Sequence, residues 1–289
     1  RSIELIDEPS HLDGFRSVLL GAQGRRVAID IEEDRERAFR PCVALIQVSV
    51  DEVDYLLDPI TLPRDAVNEL VELLCLLPRE AVLHGAHNDV VGLKRDFGVG
   101  PARLFDTQLA ARFLGLRSFG LAALLESELG VLHDKGERRS DWTARPLTPA
   151  QILYARADTA YLSRLWDKLA ERVAVTDWAD ALTEELEALG ATQPTPTPFD
   201  PEGWRELKGA SGLEPREGAR AAALWAWRND VGARWDRHPT RVLPPWALLR
   251  LAQRGSAGLS SSRSTGLESD ILSTERDALA DLLDAAVEL

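Results

Sequence analysis

The chain has 289 residues, of which 45% are hydrophobic and 28% charged, and this ordinary globular composition excludes a wholly disordered protein. Asp and Glu outnumber Lys and Arg by 47 to 34, a net charge of −13 that, taken alone, argues against a protein that binds nucleic acid. No apolar run approaches the length of a membrane span and no signal segment opens the sequence, so we expect a cytoplasmic protein without membrane contact.

Short apolar runs rich in β-branched residues predict strands in the N-terminal part of the chain, and apolar residues at helical spacing predict helices. The predicted strands are 26–30, 42–50, 53–57 and 81–84. The predicted helices are 65–77, 89–97, 107–114, 119–129 and 148–173, and Asp106 is placed to cap the third of them. Strands that first form a meander and then alternate with helices predict an α/β fold, with a mixed β-sheet flanked by helices.

Two acids stand at the end of the first predicted strand. Asp30 and Glu32 are two residues apart, so their side chains project from the same face and can converge on one point. Such a pair, met alone, is more often a solvated strand end than a site. The segment His84-Gly-Ala-His-Asn-Asp89 lies where a strand passes into a helix, and Asp89 could serve there only as a helix cap. No cysteine accompanies its two histidines, which argues against zinc.

A tyrosine and an acid share one face of the predicted helix 148–173. Tyr154 and Asp158 are four residues apart, which places them one helical turn from each other. This pair is weak evidence alone, but with the three acids described above it would bring four carboxylates together. Carboxylates at one point repel unless they are neutralised, and hard oxygen ligands suit Mg²⁺ or Mn²⁺. Two such ions about 4 Å apart are a common arrangement for the hydrolysis of phosphate esters.

Alternating prolines over 193–198 predict a stiff, extended connector. The predicted parts of the chain are therefore a domain over 1–190, a linker over 191–211 and a small all-α domain over 212–289. Charge is uneven in the last part, because 216–263 holds nine arginines and carries +6, whereas 264–289 carries −6. Most tryptophans of this part are expected in its core, with at most one exposed: Trp225, Trp227, Trp235 and Trp246.

In this order the motifs resemble the ribonuclease D branch of the DEDD exonucleases, in the subclass with a tyrosine in the third motif. The three motifs are Asp30-Ile-Glu32, His84-Gly-Ala-His-Asn-Asp89 and Tyr154-Ala-Arg-Ala-Asp158. The loop 134–147, DKGERRSDWTARPL, is similar to the segment that precedes the third motif in that family. Residues 228–252 resemble the helicase-and-ribonuclease-D C-terminal (HRDC) domain, a small helical module that binds nucleic acid.

The resemblance implies an RNase H-like exonuclease fold and a hydrolase that removes single nucleotides from RNA 3′ ends, in transfer or ribosomal RNA processing or in RNA turnover. By position, the residues that would hold two Mg²⁺ or Mn²⁺ ions are Asp30, Glu32, Asp89 and Asp158. Tyr154 would orient the attacking water molecule. The candidates for contact with substrate are His84, Lys135, Arg138, Arg139 and Arg145. Exposed arginines of this kind are often only solvated surface.

Three questions stay open on the sequence alone. Glu33 follows the first motif where many bacterial ribonuclease D sequences have an aromatic residue, so the way in which the terminal base is held is undecided. A DNA exonuclease would use the same four acids, since nothing in the motifs recognises a 2′-hydroxyl group. A non-catalytic RNA-binding protein could keep the fold, although all five motif residues are present.

Overall fold

The computed structural model describes residues 1–134, 136–196, 198–259, 267 and 269–286. They fall into two units. The first consists of Arg1–Asp34 with Cys42–Thr195, and the second of Arg35–Pro41 with Pro196–Leu289. The division thus falls within the segment of alternating prolines, and a short run from the N-terminal part of the chain goes with the second unit.

A mixed six-stranded sheet forms the centre of the first unit. Its strands are β1 (Ser2–Ile6), β2 (Arg26–Asp34), β3 (Cys42–Val50), β4 (Val53–Leu57), β5 (Glu80–Leu83) and β6 (Leu104–Asp106). Across the sheet they follow the order β1-β4-β3-β2-β5-β6. The β2–β3 and β3–β4 pairs are antiparallel and the other pairs are parallel. The predicted meander and mixed sheet are confirmed, but β2 is longer than predicted, so that Glu32 lies within it.

Helices cover both faces of this sheet. In chain order they are α1 (Leu12–Gly21), α2 (Arg64–Leu76), α3 (His87–Phe97), α4 (Thr107–Phe113), α5 (Leu121–Leu124), α6 (Pro149–Thr159), α7 (Leu162–Val173) and α8 (Ala179–Ala191). Neighbouring residues of a strand point to opposite faces. Ile29 of β2 therefore packs in a core with α1, α2 and α3, whereas Ala28 packs in a second core with α4 and α7.

The structure differs from the predicted elements in several places. It adds β1, β6, α1 and α8, and α5 continues as a π-helical turn over Leu125–Leu129. The segment 148–173 forms two helices, α6 and α7, which are separated at Ala160 and Tyr161. The two helices pack on different parts of the sheet, α6 on β4, β3 and β2 and α7 on β2 and β5. A single straight helix could not make both sets of contacts.

The second unit is helical in the part of it that is described. Its helices are α9 (Pro215–Trp235), α10 (Pro239–Val242), α11 (Pro245–Arg254) and α12 (Ser269–Ala285). Trp204 and Ala210 lie in the segment predicted as linker, yet both are buried in the core of this unit. Of the four tryptophans considered above, Trp246 alone is exposed, as expected. No helix in the described parts of either unit is long and apolar enough to cross a membrane.

Candidate active site

Three carboxylates converge where β2 meets α6. Asp30 and Glu32 project from one face of β2 and Asp158 from α6, and ligand oxygens of the three lie within 4.8 Å of one another. The first turn of α6 is fixed by a capping box, in which Thr148 Oγ1 accepts from the N–H of Gln151 and the Gln151 side chain accepts from the N–H of Thr148. The helix that carries Asp158 therefore begins at a defined point.

A buried polar network holds α6 on the sheet beside Asp158. Ser49 of β3 donates a hydrogen bond of 2.6 Å to Asp54 of β4, and its hydroxyl lies 2.8 Å from that of Thr159. Because Ser49 has one hydroxyl proton, Thr159 is the donor in the second bond. Arg156 Nε donates to the same Asp54 carboxylate at 3.0 Å. Since Arg156 and Thr159 flank Asp158 in sequence, these bonds fix Asp158 relative to the sheet.

Asp89 of α3 is connected to the three carboxylates by a hydrogen bond from the backbone of β2. Its Oδ1 accepts a hydrogen bond of 3.2 Å from the N–H of Ile31, the residue between Asp30 and Glu32. The two elements come close at Gly92, where a Cβ atom would lie 2.7 Å from Ile31 Cδ1. A side chain at this position would displace Ile31 or Glu33, and glycine lets α3 lie this near β2 without that shift.

Burial raises the pKa of all four motif acids. It raises the pKa of Glu32 to about 9 and that of Asp89 to about 7, and the pKa values of Asp30 and Asp158 also lie above the ordinary range. The charges of the neighbouring acids raise the pKa of Asp30 and Glu32 further, because like charges repel strongly in a poorly solvated region. A buried, oxygen-only donor set with excess negative charge fits a hard divalent cation.

Tyr154 of α6 lies beside two aromatic rings. Its ring centroid is 5.9 Å from the centroid of Trp142 and 5.9 Å from that of His133. Burial, and then the charges of Asp158 and Glu32, raise the pKa of the phenol above its ordinary value. The phenol is therefore protonated at neutral pH and can form hydrogen bonds, but it is not a base.

His133 is a site residue that the motifs did not reveal. Its Nε2 lies 3.1 Å from Oδ1 of Asp158, and its side chain is 4% exposed. This hydrogen bond lowers the pKa of Asp158, in opposition to the effect of burial. Position in the sequence could have indicated these two aromatic residues, because His133 immediately precedes the loop 134–147 and Trp142 lies inside it.

His84 lies at the end of β5 and turns toward α4. Its Nδ1 is 2.9 Å from Oγ1 of Thr107, and burial lowers its pKa to about 4, so the imidazole is neutral at pH 7. Asp106 caps α4 as predicted, accepting from the backbone N–H groups of 108–109, and it also accepts from those of 85–86. The loop that carries His84 is therefore tied to the start of α4.

Arg145 does not serve the role that the sequence predicted for it. Its side chain donates five hydrogen bonds, two to the carboxylate of Asp58 and three to main-chain oxygens of residues 44, 142 and 144. A guanidinium group has five N–H donors, so none remains for a phosphate. The predicted phosphate contact is corrected to a structural role, in which Arg145 closes the loop before α6.

The other basic candidates lie on or beside this loop. Arg138 and Arg139 are exposed, and the positive charge of Arg138 lowers the pKa of Glu32 and Tyr154. Arg138 is therefore close enough to act on the site electrostatically. Lys135 lies outside the described residues.

Glu33 is directed toward α3. Its Oε1 accepts a hydrogen bond of 2.8 Å from Arg95, and its side chain is 7% exposed. The register of β2 against β3 shifts between Glu32 and Glu33, so the regular pairing of the strand is interrupted between these two residues. Glu33 therefore supports α3, and a terminal base would have to be held by other residues.

Comparisons with known proteins agree with this geometry. A family model described as 3′-5′ exonuclease matches residues 3–174. Ribonuclease D of Xanthomonas oryzae is 35% identical over 255 residues, which make up 87% of this chain and 69% of that protein. The chain belongs to the ribonuclease D family. It is a 3′–5′ exoribonuclease, a phosphodiester hydrolase.

Two solved structures extend the likeness to the whole fold. Escherichia coli RNase D is 28% identical, with a TM-score of 0.68, and the match covers 99% of this chain and 76% of that one. The catalytic core of RRP6 from Trypanosoma brucei is 23% identical, with a TM-score of 0.85 over 99% of this chain and 80% of that one. These matches confirm the predicted RNase H-like exonuclease fold.

Proposed function

We propose that this exoribonuclease releases 5′-mononucleotides from RNA 3′ ends and that four acids hold two divalent cations, Mg²⁺ or Mn²⁺, for the hydrolysis. The four are Asp30, Glu32, Asp89 and Asp158. The observation that carries the proposal is the convergence of three of these carboxylates within 4.8 Å. Divalent cations bound there would make a water molecule more acidic and offset the charge of the scissile phosphate.

In this proposal Tyr154 positions the attacking water molecule. Its phenol keeps its proton at neutral pH, since burial and nearby carboxylates raise its pKa. It therefore offers the water molecule a fixed hydrogen-bonding partner and does not remove a proton from it. Contacts with the rings of His133 and Trp142 limit the movement of the phenol ring.

The substrate proposed is RNA with a single-stranded 3′ end, such as a transfer or ribosomal RNA precursor. Arg138 and Arg139 are exposed beside the site, where they can contact backbone phosphates. The second unit is proposed to act as an HRDC-like module that binds a more distant part of the same RNA. Its exposed arginines are suited to phosphate contacts, and these contacts would not enter the hydrolytic step.

A 5′-labelled RNA incubated with Mg²⁺ should be shortened one residue at a time and should release 5′-mononucleotides. Asp30→Asn and Asp89→Asn should lower the rate by several orders of magnitude. Both changes remove buried charge without altering shape, so the variants should fold. Asp13→Asn, which changes an exposed acid of α1, is the matched control and should leave the rate unchanged. Full activity in Asp30→Asn and Asp89→Asn would show that the four acids are wrongly assigned.

A DNA oligonucleotide of the same sequence separates the RNA substrate from the DNA alternative. We expect much slower shortening of the DNA. Equal rates on the two would overturn the preference for RNA while leaving the site assignment intact, because the same acids would serve both substrates.

A further inference from the structure

Gln47 of β3 lies directly across from Asp30 of β2 in the antiparallel pair. Directly opposed residues of such a pair project from the same face, so the Gln47 amide lies on the face that carries the carboxylate cluster. Gln47 is fully buried. Among the described residues, neither its Oε1 nor its Nε2 has a hydrogen-bond partner.

The packing around Gln47 gives no reason for an amide at this position. On the side away from Asp30, its opposed residue is Leu56 of β4. Leu45, Leu56 and Ala155 of α6 form an apolar cluster around the same part of the sheet. A buried amide without partners costs free energy, and an apolar side chain of similar size would not. The fold alone would therefore favour Leu or Met.

The neighbouring polar residue shows how such a position is otherwise satisfied. Ser49 is two residues further along β3, on the same face, and its hydroxyl bonds to both Asp54 and Thr159. The Gln47 amide, by contrast, has its opposed carboxylate, Asp30, on one side and an apolar side chain on the other. A buried polar group that has no partner in the folded chain is expected to gain one when the site is assembled for activity.

We propose that Gln47 is a positioning residue for the hydrolysis: in the cation-loaded site its Nε2 donates a hydrogen bond to the Asp30 carboxylate, directly or through one buried water molecule. This inference rests on the proposed role of Asp30 as a cation ligand. A donor on one oxygen of Asp30 fixes the rotation of the carboxylate and directs the other oxygen to the cation. The amide does not titrate, so it remains a neutral donor at every pH at which the protein is folded.

The test compares Gln47→Leu and Gln47→Met with the wild-type protein. Each variant of the full chain is measured for the Mg²⁺ dissociation constant by calorimetry, for kcat and KM on a short RNA, and for thermal unfolding in EDTA. We expect Mg²⁺ binding weakened about 10- to 100-fold and a fall in kcat. KM for RNA should be nearly unchanged, and the midpoint of unfolding should be equal or higher. Leu56→Met, which repacks the other side of Gln47 and keeps the amide, is the matched control.

Reduced activity together with equal or greater stability is a result that a purely structural residue would not give. Unchanged Mg²⁺ binding and kcat in Gln47→Leu and Gln47→Met would overturn the proposal. Loss of folding in both variants would also overturn it, because the fold would then require the amide. Asp30→Asn separates this outcome from failure of the proposed site. If wild-type protein and Asp30→Asn bind Mg²⁺ equally, the proposed cation site is wrong. If Mg²⁺ binding is weakened in Asp30→Asn but not in the two Gln47 variants, only the role of Gln47 is rejected.

Discussion

The imidazole Nε2 of His133 lies 3.1 Å from Oδ1 of Asp158 in a part of the site where both side chains are buried. An imidazole N–H that donates to one carboxylate oxygen fixes the rotation of the carboxylate and leaves the second oxygen for a cation. Asp158 is thus held from two directions, by His133 at its side chain and by the Thr159–Ser49 hydrogen bond at its backbone.

Replacing His133 with Leu should weaken Mg²⁺ binding and lower kcat by about 10- to 100-fold, because the carboxylate of Asp158 loses the donor that orients it. His133→Gln, which keeps a donor, should recover part of the loss. Calorimetry with Mg²⁺ and single-turnover rates on a short RNA measure both effects. Leu132→Ala changes an exposed neighbour in the same loop and should behave as wild type. Equal losses in His133→Leu and His133→Gln would contradict an orienting role.

Tyr154→Phe should reduce turnover strongly while leaving the Mg²⁺ dissociation constant nearly unchanged. The change removes the hydroxyl that we propose positions the water molecule, but it keeps the ring beside His133 and Trp142. The measurement is kcat as a function of Mg²⁺ concentration, with Tyr161→Phe at the start of α7 as the control. A large rise in the Mg²⁺ concentration that is needed would instead assign the phenol to cation binding.

The metal-free protein should lose stability as the pH rises. Folding raises the pKa of Asp89 to about 7 and that of Glu32 to about 9, whereas both ionise near pH 4 in an unfolded chain. The folded state therefore binds more protons, and the stabilisation present below pH 4 is lost as the pH passes through 7 and 9. In EDTA, the free energy of unfolding should be lower at pH 8.5 than at pH 5.5, by a few kcal/mol in order of magnitude.

Three variants and the addition of Mg²⁺ test the origin of this pH effect. Glu32→Gln should flatten the dependence, and Glu126→Gln, an exposed acid, should not. Mg²⁺ should restore stability most at high pH, where cations meet least competition from protons. Denaturant unfolding followed by circular dichroism measures each case. A pH dependence that survives in Glu32→Gln and Asp89→Asn would place its origin outside these acids.

Two sets of arginines in the second unit bear on RNA binding. Four arginines between 216 and 259 donate hydrogen bonds within the unit: Arg220, Arg228, Arg234 and Arg237. Of the other arginines in this range, three are exposed: Arg216, Arg241 and Arg254. The exposed group is the one we expect to contact RNA phosphates, because the first group already has partners.

Arg241→Gln combined with Arg254→Gln should weaken RNA binding at low salt. The slope of log affinity against log salt should fall by about 0.7 for each phosphate that the variant no longer neutralises. The rate of hydrolysis on a short RNA should change little, because these arginines belong to the second unit and the motif acids to the first. Arg276→Gln, in the acidic helix α12, is the control. Fluorescence anisotropy over a salt series measures the slope. An unchanged slope would show that these two arginines do not contact RNA phosphates.

Much of the fold and the set of candidate acids could be predicted from the sequence, because the signals are local. Asp30 and Glu32 are two residues apart on a strand, and Tyr154 and Asp158 are four residues apart on a helix. Once the element type is known, each spacing places the two side chains on one face. Periodicity likewise predicted the meander and several helices. It missed β1, β6, α1 and α8, and it joined α6 to α7, because that boundary is set by packing on different parts of the sheet.

The sequence by itself therefore determined which acids and which tyrosine this protein has available for hydrolysis, and on which face of its own element each lies. Tertiary structure alone decided what the surrounding residues do. Arg145 binds Asp58, Glu33 binds Arg95, His133 binds Asp158, and Gln47 lies opposite Asp30. The partners in each pair are distant along the chain. Whether a charged or polar side chain serves the substrate or the fold depends on which donors and acceptors packing brings beside it, and local spacing carries no information about them.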